Sequence, residues 1–394
     1  MNKYILLLFA FFSFNRLFAQ PPKLYVHIVS HNEPTDNLNQ PLNYAKAKSN
    51  VLQLANIVDS KNVKWNLQTS DGFVFGARDD QKNTGTNIFK TLAASPYNDN
   101  IEIDPRSKNL TGRNIADQWY LLDSLGANPT KTVGGFIYYV CPPKSSSLID
   151  WWQYTDTITG LHYGNKIKFD LLSGAGSLDP HCNDLNDFGI FKPDTTTNFY
   201  QHNPDRNVWC IGVGCAPVLD SLDDEQAIIQ MIKGQVDSIQ NGLWPSNKFY
   251  VTRIMTNQRE YGPLFFQKIA RVIDSLNLVP NTQLQWATIE ETFADFQVSG
   301  LDHSQWLCGE TMTEVEENNT FTSFQLYPNP TQENVSISFR EATQHKIEIY
   351  NSIGVLVRWS TTANKKEVIN LSGLSSGIYL IEINGKPAGK IIKK

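Results

Sequence analysis

The sequence predicts an α/β domain followed by a small all-β domain. Between about residues 21 and 308, apolar runs typical of strands alternate with stretches of helical periodicity, the pattern of a largely parallel sheet. From residue 323, alternating apolar and polar residues in short runs between turn residues indicate an antiparallel sandwich. We therefore expect a (β/α) barrel, distorted and with seven or eight strands, and then a β-sandwich. A doubly wound open sheet is the alternative for the first domain, although no Gly-x-Gly-x-x-Gly follows its first strand.

Residues 1–19 have the features of a secretory signal peptide. Lys3 precedes an apolar run from Tyr4 to Phe12, and Ala19 provides a small residue before Gln20. Signal peptidase should therefore cut near Gln20. No later run approaches the roughly 18 apolar residues of a membrane-spanning helix, so we expect no transmembrane segment after cleavage.

The elements of the barrel-like body, residues 20–308, follow in order. An apolar first strand, 24–30, leads into a helix, 44–59, whose apolar positions share one face. Further strands are predicted at 63–68, 100–104, 132–140, 166–172, 208–214, 248–255 and 284–289, with helices at 86–94, 115–125, 223–241 and 263–276. Residues 309–322, rich in Glu and then in Asn and Thr, are predicted to be a linker.

Composition excludes some partners. The net charge is −5 and 19% of residues are charged, so a nucleic-acid-binding surface is not expected. The five cysteines allow up to two disulfides in an oxidising compartment, and their spacing does not choose the pairing.

Polar residues that follow the predicted strands are the candidate site, because a barrel places its function at the carboxyl ends of its strands. His31 and Glu33 come directly after the first strand on one face, where they could bind a divalent metal or share acid/base work. Glu102 and Asp104 form a second pair on the third strand, which suits glycoside hydrolysis or metal binding. An ion network with Arg106 and its neighbours is the alternative for this pair.

Other candidates lie farther along the chain. Arg253 on the seventh strand could hold a polyhydroxylated or anionic ligand through its planar donors. Glu290 follows the last strand and is a further candidate acid. Trp151 and Trp152 could stack on sugar rings, although such aromatic runs are more often part of a core.

The C-terminal segment, residues 323–394, resembles the C-terminal sorting domain of type IX secretion cargo. The resemblance rests on three motifs in order and a basic end: Tyr327-Pro328-Asn329-Pro330, Ile349-Tyr350-Asn351-Ser352-Ile353-Gly354, Leu371-Ser372-Gly373-Leu374-Ser375-Ser376-Gly377-Ile378-Tyr379, and Lys390, Lys393 and Lys394. It implies export through the periplasm to the outer cell surface or the medium. The partner it implies is the type IX secretion machinery.

The body more distantly resembles the superfamily of polysaccharide deacetylases and related glycoside hydrolases, which are distorted (β/α) barrels. The residues that suggest it are the first-strand run ending in His31 and Glu33, and the run from Glu102 to Lys108. The deacetylases carry paired aspartates after the first strand and two later zinc-binding histidines. Here no Asp-Asp pair follows that strand, and Arg106 and Lys108 stand where histidines are expected.

These observations lead to three alternative functions. The first is a secreted or cell-surface hydrolase acting on glycans, with Glu33, Glu102, Asp104 and Glu290 as its catalytic carboxyl groups. A metal-dependent variant of it would use His31 and Asp104 as ligands. The second is a non-catalytic protein that binds polysaccharide on the same fold. The third is a secreted peptidase, although neither Gly-x-Ser-x-Gly nor His-Glu-x-x-His is present.

Overall fold

The computed structural model describes residues 21–32, 36–38, 40–106, 112–140, 154–178, 187–195, 197–215, 218–219, 225–309, 324–339, 342–351 and 354–394. The chain divides into two compact units, residues 1–311 and residues 312–394. Each unit has its own hydrophobic core. The predicted signal peptide lies outside the described residues.

The first unit alternates strands and helices. Its elements are β1 (Leu24–Asn32), α1 (Pro41–Ser60), β2 (Trp65–Thr69), α2 (Asp71–Thr84), α3 (Ile88–Leu92), β3 (Ile101–Pro105), α4 (Ile115–Ser124), β4 (Thr132–Val140), β5 (Ile158–Thr159), β6 (Lys166–Ile167), β7 (Leu171–Leu178), β8 (Ile190–Phe191), β9 (Trp209–Ile211), β10 (Val218–Leu219), α5 (Glu225–Gln240), β11 (Tyr250–Asn257), α6 (Pro263–Leu276), β12 (Leu284–Trp286) and α7 (Ile289–Val298).

Two of the differences from the predicted elements concern a helix that was missed and a strand that is divided. Residues 71–84 form α2, which the sequence analysis missed because Gly72 and Gly76 weaken the helical signal; Gly76 is required because a Cβ there would collide with the ring of Tyr44. The predicted strand 166–172 is divided into β6 and the start of β7, with Lys168–Asp170 between them in neither strand. Both differences are local and leave the order of the larger elements unchanged.

The first sheet is parallel and has the order β10-β11-β1-β2-β3. β12 pairs with the amino half of β1, on residues 24–26, and β2 pairs with the carboxyl half, on residues 28–32. β1 is therefore bonded along both margins and almost completely buried, which is consistent with the apolar residues that make up most of its first six positions. The register places His27 opposite Arg253, and His31 between Asn257 and Gln68.

The second sheet has the order β4-β7-β9-β8 and continues from the first through a parallel bridge between Arg106 and Gly134. At the other margin, the backbone N–H of Val251 donates to the carbonyl of Phe188, which lies just before β8. No strand ladder joins β9 to β11 within the described ranges, so strand pairing does not show a closed barrel. The fold is mixed α/β with a largely parallel main sheet.

Apolar side chains pack on both faces of these sheets. The helices α1, α5 and α6 cover one face, where Val26, Ile28 and their neighbours form the larger core. A smaller cluster on the opposite face includes Tyr25, Val29 and Phe296 of α7. Cys215 and Cys308 form a disulfide, and Cys210 is a buried free thiol. The remaining cysteines, Cys141 and Cys182, lie outside the described residues.

The second unit consists of two antiparallel sheets that enclose an apolar core. Its strands are β13 (Phe324–Tyr327), β14 (Asn334–Phe339), β15 (His345–Asn351), β16 (Leu356–Thr362), β17 (Lys366–Asn370), β18 (Gly377–Ile383) and β19 (Lys386–Lys393). The sheet orders are β13-β14-β17 and β16-β15-β18-β19. Asn384 and Gly385 both have positive φ and connect β18 to β19, as the Asn-Gly signal predicts.

Asp117 of α4 holds the loop that begins at Leu161 against the start of its own helix. Its carboxylate accepts the backbone N–H groups of Asn114, Leu161, His162 and Tyr163, and these hydrogen bonds hold its pKa below the usual value despite the opposing effect of burial. Asp117→Asn should lower the free energy of unfolding by about 2 kcal/mol at pH 7, because an amide offers one acceptor oxygen instead of two.

Urea unfolding of the two proteins at several pH values measures this effect. Because the pKa is lower in the folded state, the stabilisation by Asp117 is present above the ordinary pKa of 3.8 and is lost as the pH falls below it. The two proteins should therefore converge in acid. A difference that stays constant at every pH would contradict the assignment.

Candidate functional site

A pocket of about 780 Å³ opens beside the amino ends of β3, β4, β7 and β9, where the first turns of α7 form its other wall. Its volume lies in the range typical of small-molecule sites, roughly 300 to 1,000 Å³. Its lining includes Glu102, Thr130, Lys131, Thr132, Asp170, Trp209, Glu290 and Phe293. The sequence analysis placed the site at the carboxyl ends of the strands, so this pocket lies at the opposite end of the sheet.

Glu102 and Asp104 are two residues apart on β3 and share a face. Asn66 of β2 donates its amide to both, at 2.8 Å to Glu102 Oε1 and 3.2 Å to Asp104 Oδ2. Gln68 donates to Asp104 Oδ2 at 3.3 Å, and the Thr130 hydroxyl donates to Oδ1 at 2.7 Å. Asp104 is fully buried, whereas Glu102 is partly exposed and reaches the pocket.

Burial makes both of these acids hard to ionise. The pKa of Glu102 is raised well above its usual value, first by burial and then by the negative charges of Asp104 and Glu290. Burial also raises the pKa of Asp104 to about 6, against the opposing hydrogen bonds from Thr130 and Gln68. Both shifts favour retention of a proton by the pair, and Glu102 is the member of the pair in contact with the pocket.

Glu290 stands over this pair at the start of α7. Its backbone N–H faces Glu102 Oε2 at 3.3 Å, and its Oε1 accepts the backbone N–H of Lys131 at 3.2 Å. A capping box between Thr288 and Glu291 fixes the first turn of the helix. Partial burial and the neighbouring Asp170 raise the pKa of Glu290, while its hydrogen bond from Lys131 opposes the rise. Two carboxyl groups on different elements therefore meet at one pocket.

Arg253 does not line this pocket. It is almost fully buried in the sheet, and its Nη2 donates to the carbonyl of Ile211 at 3.0 Å. Burial lowers its pKa to about 10. His27 is the neighbour of Arg253 in the ladder. Burial lowers the pKa of His27, and the positive charge of Arg253 lowers this pKa further. The predicted ligand-binding arginine therefore lies outside the pocket that Glu102 and Glu290 line.

His31 lies at the carboxyl end of β1, where Arg106 Nη2 approaches its Nδ1 at 3.3 Å. Three further predicted site residues, Glu33, Trp151 and Trp152, lie outside the described residues. A guanidinium beside His31 disfavours a second cation there, and His31 and Asp104 do not belong to a group of three possible ligands within the described part of the chain.

The described residues do contain such a group elsewhere, formed by His202, Asp302 and His303, whose possible ligand atoms lie within 4.8 Å of one another. The two imidazoles stack with ring centroids 4.1 Å apart. The backbone N–H of Lys192 donates to His202 Nδ1, so a neutral ring carries its proton on Nε2, the nitrogen that faces Asp302 at 3.6 Å. This tautomer favours a contact with the carboxylate over coordination of a metal.

Several site residues were absent from the sequence analysis: Asn66, Gln68, Thr130, Thr132, Lys131 and Trp209. Asn66 and Gln68 alternate with Trp65 and Leu67 in a strand that is buried throughout, and buried polar residues of this kind need partners. That alternation could have indicated from the sequence that Asn66 and Gln68 have buried polar partners. Thr130 and Thr132 gave no such indication, because hydroxyl residues are common in and beside strands.

Comparison with known proteins identifies the C-terminal unit. Residues 325–394 match the family model for the secretion system C-terminal sorting domain, which confirms the resemblance found in the sequence. The protein is therefore exported by type IX secretion to the cell surface or beyond it. No helix among the described residues is long and apolar enough to cross a membrane.

The other matches are partial. Ulvan lyase NLR42 of Nonlabens ulvanivorans is 30% identical over 83 residues, which are 21% of this chain and 15% of the lyase. A 4-α-glucanotransferase of Thermococcus litoralis matches with a TM-score of 0.40 at 10% identity, over 75% of this chain and 41% of its own. A protein described as a polysaccharide deacetylase of Mycobacterium smegmatis matches with a TM-score of 0.43 at 10% identity. The match covers 74% of this chain and 96% of that protein. These scores do not establish a shared fold.

Asp104 should make stability fall with rising pH. Its pKa is about 6 in the folded protein against 3.8 ordinarily, so the folded state binds the additional proton between these values. The free energy of unfolding should decrease as the pH rises from 4 to 6, by on the order of 2 kcal/mol from this residue. Asp104→Asn should remove this dependence of stability on pH. It should also lower stability at every pH, because the NH2 group of the new amide would face the donating amides of Asn66 and Gln68.

Urea unfolding at pH 4, 5, 6 and 7 measures how the free energy of unfolding changes with pH in the wild type and in Asp104→Asn. Asp237→Asn, an exposed change on α5, serves as the control and should keep the wild-type slope. Equal slopes in wild type and Asp104→Asn would show that Asp104 does not titrate in this range.

Deletion of residues 324–394 should leave a folded body that accumulates in the periplasm, because the sorting domain is missing and the body has its own core. Immunoblots of periplasmic, surface and medium fractions measure this distribution, with the full-length chain as control. Normal amounts of the truncated chain outside the cell would contradict the assigned role of the tail.

Proposed function

We propose that this protein is a secreted or cell-surface hydrolase acting on glycans, with Glu102 as general acid and Glu290 as the partner carboxylate. One observation supports it most directly: the partly exposed carboxyl group of Glu102, whose pKa is raised well above its usual value by burial and neighbouring charges, touches a pocket that also holds a second, more exposed carboxyl group. Glycoside hydrolysis needs this combination, a protonated acid for the leaving oxygen and a carboxylate for the developing positive charge.

Asp104 would then be a positioning residue. It lies beneath Glu102, bonded by the Asn66 amide that also holds Glu102, and its negative charge helps to keep Glu102 protonated. The partly buried rings of Trp209 and Phe293, with centroids 5.8 Å apart, would supply the apolar wall that a sugar ring needs.

The two sheets would form one open, distorted barrel in this proposal. The Arg106–Gly134 bridge joins them at one margin, and the hydrogen bond from Val251 to Phe188 joins them at the other. α7 would cover the amino end of this barrel, since Tyr25 bonds Asp295 and His27 bonds Thr292. The wall of the pocket is therefore a helix held by side chains of β1.

The proposal predicts that Glu102→Gln and Glu290→Gln each lower kcat on an oligosaccharide substrate by about 10² to 10⁴-fold. Glutamine preserves size and hydrogen bonding while removing proton transfer. Glu225→Gln is the matched control, because Glu225 lies on α5 in an ion pair with Arg271, and it should leave kcat unchanged. Reducing-end release from a panel of oligosaccharides provides the assay.

A fourth variant, His31→Gln, tests the other end of the sheet. Loss of turnover in His31→Gln with full activity in both pocket variants would move the chemistry to the carboxyl ends of the strands and overturn the proposal. Binding of a glycan with no turnover by the wild type would instead support the non-catalytic alternative.

A further inference from the structure

The pocket has an excess of acidic groups. Its lining contains the carboxyl groups of Asp99, Glu102, Asp170, Glu290 and Glu291 but a single ammonium group, that of Lys131. Glu291 is neutralised in an ion pair with Lys64 at 2.8 Å. The exposed carboxyl groups of Asp99, Asp170 and Glu290 still outnumber Lys131, so the potential at the pocket is negative.

A second, independent feature indicates that the pocket binds a ligand. Thr132, one of the residues that line the pocket, is fully buried, and its Oγ1 has no hydrogen-bond partner in the part of the chain that the structure describes. A buried hydroxyl without a partner costs free energy in the empty protein. A polar group of a ligand that entered the pocket would satisfy it.

We propose that the pocket selects a saccharide bearing protonated amines, a glucosamine-type oligomer, over uncharged and anionic saccharides. This inference rests on the proposed function, and it specifies the substrate class of the same site. Burial raises the pKa of Glu290, and the negative charge of Asp170 adds to this rise. An ammonium group beside Asp170 and Glu290 would offset the repulsion between the two carboxyl groups. A uronate or a sulfated sugar would add negative charge to the same region and be repelled.

Asp170 is the best position for a charge test. It is exposed, it precedes β7, and its backbone rather than its side chain makes the bonds to Lys131 and Trp209. Asp170→Asn therefore removes one negative charge from the pocket without removing a buried contact. Asp237→Asn on α5 removes the same charge away from the pocket and is the matched control.

The experiment is calorimetric titration of the full-length chain at pH 7 and low salt with four probes: a glucosamine tetramer, its fully N-acetylated form, a uronate tetramer and tetralysine. We expect the glucosamine tetramer to bind about tenfold more tightly than the N-acetylated one, and the uronate not at all. Asp170→Asn should reduce the preference for the amine at least threefold, and Asp237→Asn should keep it. Thr132→Val should weaken binding of the glucosamine and N-acetylated tetramers alike.

The inference would be overturned if the N-acetylated or uronate tetramer bound as tightly as the glucosamine tetramer, or more tightly. It would also be overturned if tetralysine bound as tightly as the glucosamine tetramer, because that result would assign the pocket to basic peptides. Turnover of the same sugars is measured separately. A preference for the amine without turnover would overturn the hydrolase and leave the inference intact. Turnover of N-acetylated or uronate sugars with no preference for the amine would keep the hydrolase and overturn the inference.

Discussion

Two carboxyl groups side by side on β3, one fully buried and one partly exposed, are the constraint on which the amino end of this fold depends. Neither Glu102 nor Asp104 can be desolvated without donors, and the amides of Asn66 and Gln68 supply them from the neighbouring strand. The oxygen of Asn66 in turn accepts the backbone N–H of Ile289, which positions the first turn of α7. One chain of hydrogen bonds thus connects β3, β2 and the helix that forms the wall of the pocket.

The same network sets the protonation of the interior. Arg253 is buried within the sheet with one hydrogen bond, to a carbonyl, and its charge disfavours a second positive charge on His27. The ionised form of Asp104 helps Glu102 to stay protonated, and it also favours the charged form of Arg253. A single hydrophobic replacement in this group would therefore leave a charge or a donor without its counterpart, which costs more than the lost contact itself.

The sequence was sufficient for those features that depend on local periodicity. The alternating order of strands and helices and the antiparallel C-terminal unit follow from the spacing of apolar residues, and the turn at Asn384 and Gly385 follows from the conformational freedom of those two residues. α2 was missed because two glycines lower its apparent propensity, although packing of Phe73 and Val74 stabilises it in the protein.

The site was predictable only in part. Glu102, Asp104 and Glu290 were identified as acids, but their convergence depends on α7 returning to the amino ends of β3 and β4, which no local pattern encodes. Asp71 shows the same limit: it begins α2 and pairs with Arg113 at 2.9 Å, and the sequence around Asp71 does not indicate this distant partner.

The disulfide between Cys215 and Cys308 has a mechanical consequence. It ties the last described residues of the body to the chain that follows β9, and residues 304–307 also bond to the segment around β8. Tension applied through the tail during export or surface attachment therefore reaches a covalent crosslink before it can peel this segment from the body. The same crosslink would keep the residues next to Cys308 attached to the body if the chain were cut after them.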